Sequence, residues 1–206
     1  MITCVVNDEV RANTYVCETS SDGDALVVDP GLSVARIDEE LERRGLRPRW
    51  VLLTHGHFDH MGSAALLQQR HGATVTVHKG DRKIAKAANF LMMASGFEQR
   101  IALPEFTVVD GAESAVEISG ERAVFLHTPG HTPGSCCIAW RDALFTGDTV
   151  YRSKIGNGDF PGEDPEQLRA SVDGLEGRVA EETRILPGHG EPGTWGEVRA
   201  AIAEAA

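Results

Sequence analysis

The sequence predicts an α/β protein made of two β-sheets packed face to face with helices outside, a four-layer αββα sandwich. Three observations carry that expectation. Short apolar runs alternate with helical stretches along the whole chain. Trp50-Val51-Leu52-Leu53 is a continuous apolar run, as a strand buried on both faces requires. Four apolar strands each end in a Gly-containing turn that presents a His or an Asp, which suits a site on one edge of a sandwich. A doubly wound sheet is the other arrangement the pattern allows.

In chain order, residues 2–6, 14–18 and 25–28 read as strands. Ser33 can cap a helix running through Arg43, with Gly45 just past its end. After the buried strand, a helix spans residues 61–70 and closes at His71-Gly72, where His71 suits the negative end of the helix dipole. Residues 74–77 are a β-branched strand. Residues 82–97 read as one helical stretch. Its Phe90, Leu91, Met92 and Met93 fit core packing, or a pocket lining, since Met adapts its shape. In the second half, residues 116–118, 123–128, 136–140, 143–146 and 184–186 read as strands. Asp164-Pro165-Glu166-Gln167 and Thr194-Trp195-Gly196-Glu197 read as helix starts with capping boxes.

The 206 residues are 41% hydrophobic and 25% charged, which excludes disordered and fibrous classes and fits one domain over residues 1–206. No apolar run approaches the ~20 residues of a membrane span, and the N-terminus lacks the basic-then-apolar pattern of a secretory signal. The expected compartment is the cytoplasm. A net charge of −11 disfavours nucleic acid and anionic lipid as partners. One basic stretch, with Lys79, Arg82, Lys83 and Lys86 against Asp81, reads as a solvated helix face or as a landing site for an anionic substrate. Adjacent Cys136 and Cys137 have poor disulfide geometry, and Cys4 and Cys17 read as buried free thiols. His78 and His127 sit at strand ends in ordinary surface or core roles, with His127 a weaker candidate for supporting a ligand.

The densest donor cluster is Thr54-His55-Gly56-His57-Phe58-Asp59-His60. Imidazole is the commonest biological metal ligand, and Gly56 lets the backbone bend so that His55 and His57 converge on one ion. Asp59 and His60 then point elsewhere, because the chain has turned into a helix, so the spacing suggests two adjacent ions. His131 in Thr128-Pro129-Gly130-His131, Asp148 in Thr146-Gly147-Asp148, and His189 in Pro187-Gly188-His189 supply further donors at strand ends.

These residues resemble the metallo-β-lactamase fold superfamily, and within it the glyoxalase II-like hydrolases, with Val28-Asp29-Pro30-Gly31 as the usual early turn. The resemblance implies that His55, His57 and His131 bind one metal, that Asp59, His60 and His189 bind a second, and that Asp148 bridges them. It implies two divalent ions, zinc first, with iron or manganese as the other choices. The Asp at 148 argues against antibiotic hydrolysis, because lactamases of this fold usually carry a cysteine or another residue there. The stretch from Ile155 to Gly162 looks like the G-x-G-R-x-D-F-P segment of the family but has Asn157 where Arg is usual. Standard glyoxalase II carries a further helical domain, which nothing after Ala206 supplies, so the closer likeness is to the short single-domain type.

The activity this implies is hydrolysis of a small-molecule, possibly anionic, acyl thioester of the hydroxyacylglutathione kind by a metal-bridging hydroxide, with Asp59 and Asp148 as catalytic carboxylates. A persulfide dioxygenase holding one iron on His55, His131 and Asp148 is the alternative. A lactonase or ester hydrolase of the same fold and a non-catalytic metal-stabilised scaffold are further readings. The oligomeric state is not encoded in any motif.

Overall fold

The computed structural model describes residues 1–156 and 163–204. The strands in chain order are β1 (Ile2–Val6), β2 (Asn13–Glu18), β3 (Asp24–Val28), β4 (Arg47–Leu52), β5 (Thr74–His78), β6 (Phe106–Val109), β7 (Glu113–Ile118), β8 (Glu121–His127), β9 (Cys136–Trp140), β10 (Ala143–Gly147), β11 (Val150–Tyr151), β12 (Lys154–Ile155), β13 (Arg184–Pro187) and β14 (Gly193–Thr194). The first sheet has the spatial order β1-β2-β3-β4-β5-β6, the second β14-β13-β10-β9-β8-β7, and β11 pairs with β12 as a separate hairpin. β1 to β3 pair antiparallel, and β3 to β6 run parallel. In the second sheet only the β10–β13 pair is parallel among the described strands.

Side-chain alternation decides the layering. In β3, Ala25 and Val27 point outward to join Ile37 and Leu41, while Leu26 and Val28 point inward to join Phe125, Ile138 and Phe145 of the second sheet. In β4, Val51 takes the outer layer and Leu52 the inner one. The same alternation in β9 and β10 sends Ile138, Trp140 and Phe145 inward and Cys137 and Leu144 outward, against Val172, Trp195 and Val198. The outer layers are helices. α1 (Val34–Arg44), α2 (Phe58–Met61), α3 (Ala64–His71), α4 (Arg82–Lys86) and α5 (Ala88–Ala94) follow strands of the first sheet, and α6 (Pro165–Asp173) and α7 (Trp195–Glu204) cover the second. This is the αββα sandwich, and the run at 50–53 feeds both faces of its sheet, with Val51 and Leu53 toward the helices and Trp50 and Leu52 toward the second sheet. Among the described residues no helix is long and apolar enough to cross a membrane.

Several local expectations change. The helix expected over 61–70 is two helices, α2 and α3, and begins earlier, on Phe58. The break falls at Gly62-Ser63, where the Ser63 amide donates to Pro30 O at 3.0 Å instead of continuing the ladder. The stretch 82–97 is likewise divided at Ala87 and ends before Phe97. Gly96 is left-handed, and the Phe97 and Gly96 amides donate to Met92 O and Met93 O, a Schellman end. Ser33 precedes α1 without capping it; its hydroxyl accepts from the Asp8 amide at 2.9 Å and bonds the Glu9 carboxylate. Asp164 accepts from the Gln167 amide as expected, but its own amide donates to Gly130 O at 2.7 Å and not to Gln167, so that capping box stays half formed; Thr194 and Glu197 form both bonds of theirs. All four cysteines are free; Cys17, Cys136 and Cys137 are buried, but Cys4 is exposed, because it lies opposite Tyr15 on the edge strand. Residues 157–162 of the family-like segment, Asn157 among them, lie outside the described residues.

Candidate metal centre

The donor segments follow the ends of β4, β8, β10 and β13, and the packing of the two sheets brings those ends to one rim. The seven predicted donors meet there. Ligand atoms of His55, His57 and His131 form one compact triad, and those of Asp59, His60 and His189 form a second, each within 4.8 Å internally. Asp148 stands between the triads. Its Oδ2 is 3.6 Å from His131 Nε2 and 3.6 Å from His189 Nε2, and its Oδ1 is 3.5 Å from His60 Nε2.

A surrounding set of groups aims these rings. Asp29, held at positive φ at the end of β3, accepts from the Thr54 amide at 2.8 Å and from the Thr54 hydroxyl at 2.6 Å. Its other contact is His60 Nδ1 at 3.0 Å, which turns His60 Nε2 to the centre. His55 Nδ1 meets the Thr54 hydroxyl at 3.1 Å, and His131 Nδ1 pairs with Glu163, so the Nε2 atoms of both rings also face inward. Asp81, fully buried, joins the two histidine loops: its carboxylate accepts from the Gly56 amide at 2.7 Å, the Gly134 amide at 2.6 Å and the Thr132 hydroxyl at 2.7 Å. Tyr15 and Asn13 of β2 donate to Pro187 O at 2.7 and 3.0 Å, fixing the loop that carries His189. At Gly188 a side chain has no room, since a Cβ would lie 2.3 Å from Asp148 Oδ1 and 2.5 Å from His60 Cε1.

The electrostatics differ between the triads. Burial, then the neighbouring imidazoles, push His55 well below its ordinary value, and burial with His131 pushes His57 down to about 4. Both are therefore neutral donors. Burial alone would also lower His60, but Asp59, Asp148 and Asp29 outweigh it and hold the ring up at about 10. Burial opposes ionisation of Asp59, yet His60 and His189 hold its carboxyl well below the usual range.

Metal ions fit this arrangement. The buried atoms His55 Nε2, His60 Nε2 and Asp148 Oδ1 have no hydrogen-bond partner, and an unpaired buried polar atom costs ~1–3 kcal/mol. Three such atoms from separate segments converge here. Imidazole and carboxylate without thiolate is a donor set for zinc, iron or manganese.

A large cleft of about 1250 Å³ opens above the donors. Phe58, Phe90, Leu91, Ala94 and Phe97 make one wall, and the β11–β12 hairpin with Gly190 and Glu191 makes the other. Of the Phe90 cluster, Met92 is core and Phe90 and Leu91 line the cleft, so each sequence reading holds for part of it, while Met93 is exposed outside the cleft. The basic stretch remains a solvated face. Lys79 pairs with Asp110 at 2.7 Å, Arg82, Lys83 and Lys86 are exposed, and none of the four lines the cleft. His127 stacks on His78 at 4.2 Å and bonds Pro133 O, away from the donors.

Sequence reasoning missed Asp81 and Glu163 and gave Asp29 only as a turn residue. Asp29 carried a signal, an Asp-Pro-Gly at a strand end; Asp81 was hidden in a basic run.

Residues 7–189 match the profile of the Metallo-beta-lactamase superfamily. A hydroxyacylglutathione hydrolase of Anaeromyxobacter dehalogenans is 35% identical over 178 residues, 86% of this chain and 61% of that protein, so the chain spans less than two thirds of that relative. The "Probable metallo-hydrolase YqgX" of Bacillus subtilis is 32% identical over 185 residues, 88% of this chain and 86% of that one. Among solved structures, BLEG-1 B3 metallo-beta-lactamase superposes with a TM-score of 0.86 at 29% identity, covering 96% of this chain and 95% of that one. TTHA1623 in a di-iron-bound form gives 0.84 at 31% identity, covering 97% and 98%.

Proposed function

The chain belongs to the metallo-beta-lactamase superfamily, and from that premise we propose that it is a metal-dependent hydrolase of small acyl thioesters. The observation that carries the reading is the carboxylate of Asp148 set between two compact triads. In this reading His55, His57 and His131 would hold one divalent ion and Asp59, His60 and His189 the other, with the carboxylate of Asp148 available to both. Zinc is the first choice, with iron or manganese next; the di-iron form of TTHA1623 supports a pair of ions on this scaffold. The ligand atoms of Asp59, His60 and His189 also all lie within 4.8 Å of one another, which favours two ions over a single iron on His55, His131 and Asp148. The thioester class is supported by the hydroxyacylglutathione hydrolase relative and by an Asp, not a Cys, at position 148.

Bound divalent ions would supply Lewis acidity to the substrate carbonyl and bring the pKa of a water toward ~7. The protein's own groups do the rest. Asp148 accepts a hydrogen bond from the attacking water and orients it. Asp59, mostly buried at the cleft floor, is kept as a carboxylate by His60 and His189, and the proton of the attacking water passes to solvent through the open cleft. The water oxygen bonds to the acyl carbon, the carbon–sulfur bond breaks, and the sulfur leaves as thiolate, which needs little acid assistance. Glu163 and Asp29 keep the rings of His131 and His60 from turning away, and Asp81 fixes the two loops that carry His55, His57 and His131. The substrate is a small molecule rather than nucleic acid or membrane, and four free thiols suit a reducing, cytoplasmic setting.

The test is elemental analysis of the purified protein with a substrate panel: S-lactoylglutathione, other acyl thioesters, a lactone, a β-lactam, and glutathione persulfide with oxygen measured. Two divalent ions per chain with thioester turnover is the expected result. One iron with oxygen uptake, turnover of the lactone or β-lactam alone, or full metal with no turnover would each overturn it.

A further inference from the structure

Beyond the reacting centre, the two walls of the cleft differ in kind. Phe58 lies between the donors His57 and Asp59 in sequence, so the apolar wall starts at the reaction floor itself. The Phe58 ring meets the Phe97 ring edge-on at 5.4 Å, which fixes the base of that wall. α5 continues it outward. Its inner residues Ala88 and Met92 are core, whereas Phe90 stays 64% exposed at the cleft with Leu91 beside it. A large aromatic left in water along a donor-lined cleft is apolar surface that a ligand can cover. The opposite wall is largely polar and charged: Arg152, paired with Glu197 at 3.0 Å, lines it with Ser153, Lys154 and Glu191, beside the Tyr151 ring.

We infer that the α5 wall is an acyl pocket, and that the enzyme takes thioesters of extended apolar acyl groups, with the polar thiol carrier against the β11–β12 hairpin. The inference rests on the thioester reading above and names the substrate class within it. A hydroxypropionyl group is short and carries a hydroxyl, so it offers little apolar surface to set against this wall. A straight apolar chain of several more methylenes offers enough apolar surface to cover Phe97, Leu91 and Phe90. Phe90 then sets chain-length preference.

The experiment is a series of acetyl, butyryl, hexanoyl and octanoyl glutathione thioesters, read as kcat/KM, beside binding of the non-hydrolysable S-methyl, S-butyl and S-octyl glutathiones measured by calorimetry. Both slopes should rise, by up to about fourfold per methylene covered. In Phe90→Ser, a change at an exposed position, the octanoyl-to-acetyl ratio and the S-octyl-to-S-methyl ratio should each fall about tenfold. A flat or falling series in both assays, or an unchanged ratio in Phe90→Ser, would overturn the pocket. If no thioester is hydrolysed while S-octylglutathione binds in the expected order and Phe90→Ser weakens it, the pocket stands and the thioesterase reading falls.

Discussion

His60 Nδ1 lies 3.0 Å from Asp29 Oδ2, across 31 positions of sequence. The same carboxylate holds the Thr54 amide and hydroxyl, so one residue at the end of β3 orients both His60 and the loop leading to His55. Asp29→Ala is expected to weaken metal binding by about 10–100-fold, the usual effect of losing a group that orients a ligand, with the fold retained. Chelator competition on the variant checks it; unchanged affinity would separate Asp29 from the centre.

Asp148→Ala is expected to lower metal content and hydrolysis together, with turnover falling at least about a hundredfold, because the donors act as a unit. Elemental analysis and turnover on one preparation decide the matter. Full occupancy with normal turnover would refute the bridging role.

The ring of His60, held at about 10 in the metal-free protein, must lose its proton to bind a cation. Metal affinity is therefore expected to rise with pH, by about tenfold per unit while one proton is released. Calorimetric titrations in buffers of different ionisation enthalpy count that proton. The stability of the metal-free protein runs the other way. Because the folded value lies above the ordinary 6.5, the contribution of His60 is complete below that pH and is lost as pH rises through about 10. Melting of metal-free protein across this range should show the decline.

Gly188→Ala places a methyl against Asp148 Oδ1 and His60 Cε1. Overpacking of this kind costs ~1–3 kcal/mol, and here it falls on two donors. Thermal melting should show that loss, and turnover should fall further than stability alone accounts for. Wild-type turnover would mean that the loop has slack.

The thiols are expected to be slow. Burial raises Cys137 to about 11 and Cys17 to about 12, and even exposed Cys4 is pushed up to about 11, first by partial burial and then by Glu191. At pH 8 a disulfide reagent should label native protein far more slowly than unfolded protein, in which all four react.

How much of this was legible in the sequence depends on the range of the contacts involved. The donor set was readable because His55, His57, Asp59 and His60 are packed into one turn and the others repeat a strand–Gly–donor pattern. Trp50–Leu53 was readable as a doubly buried strand because no polar residue interrupts it. Asp81 was not, since its meaning comes from Gly134 and Thr132, which only the fold brings to it. Short pairings such as β11–β12 and β14 carry too few residues for a periodic signal. The break at Ala87 was missed because helix propensity runs through it, and the one at Gly62-Ser63, two weak helix formers, is fixed by the tertiary bond from Ser63 to Pro30.

None of the seven donors rides on α5 or on the β11–β12 hairpin, the two elements that face each other across the opening. Those elements can therefore be lengthened, exchanged or recoloured while the hearth beneath stays as it is. Variation in what this scaffold consumes has a place to accumulate that leaves its chemistry intact.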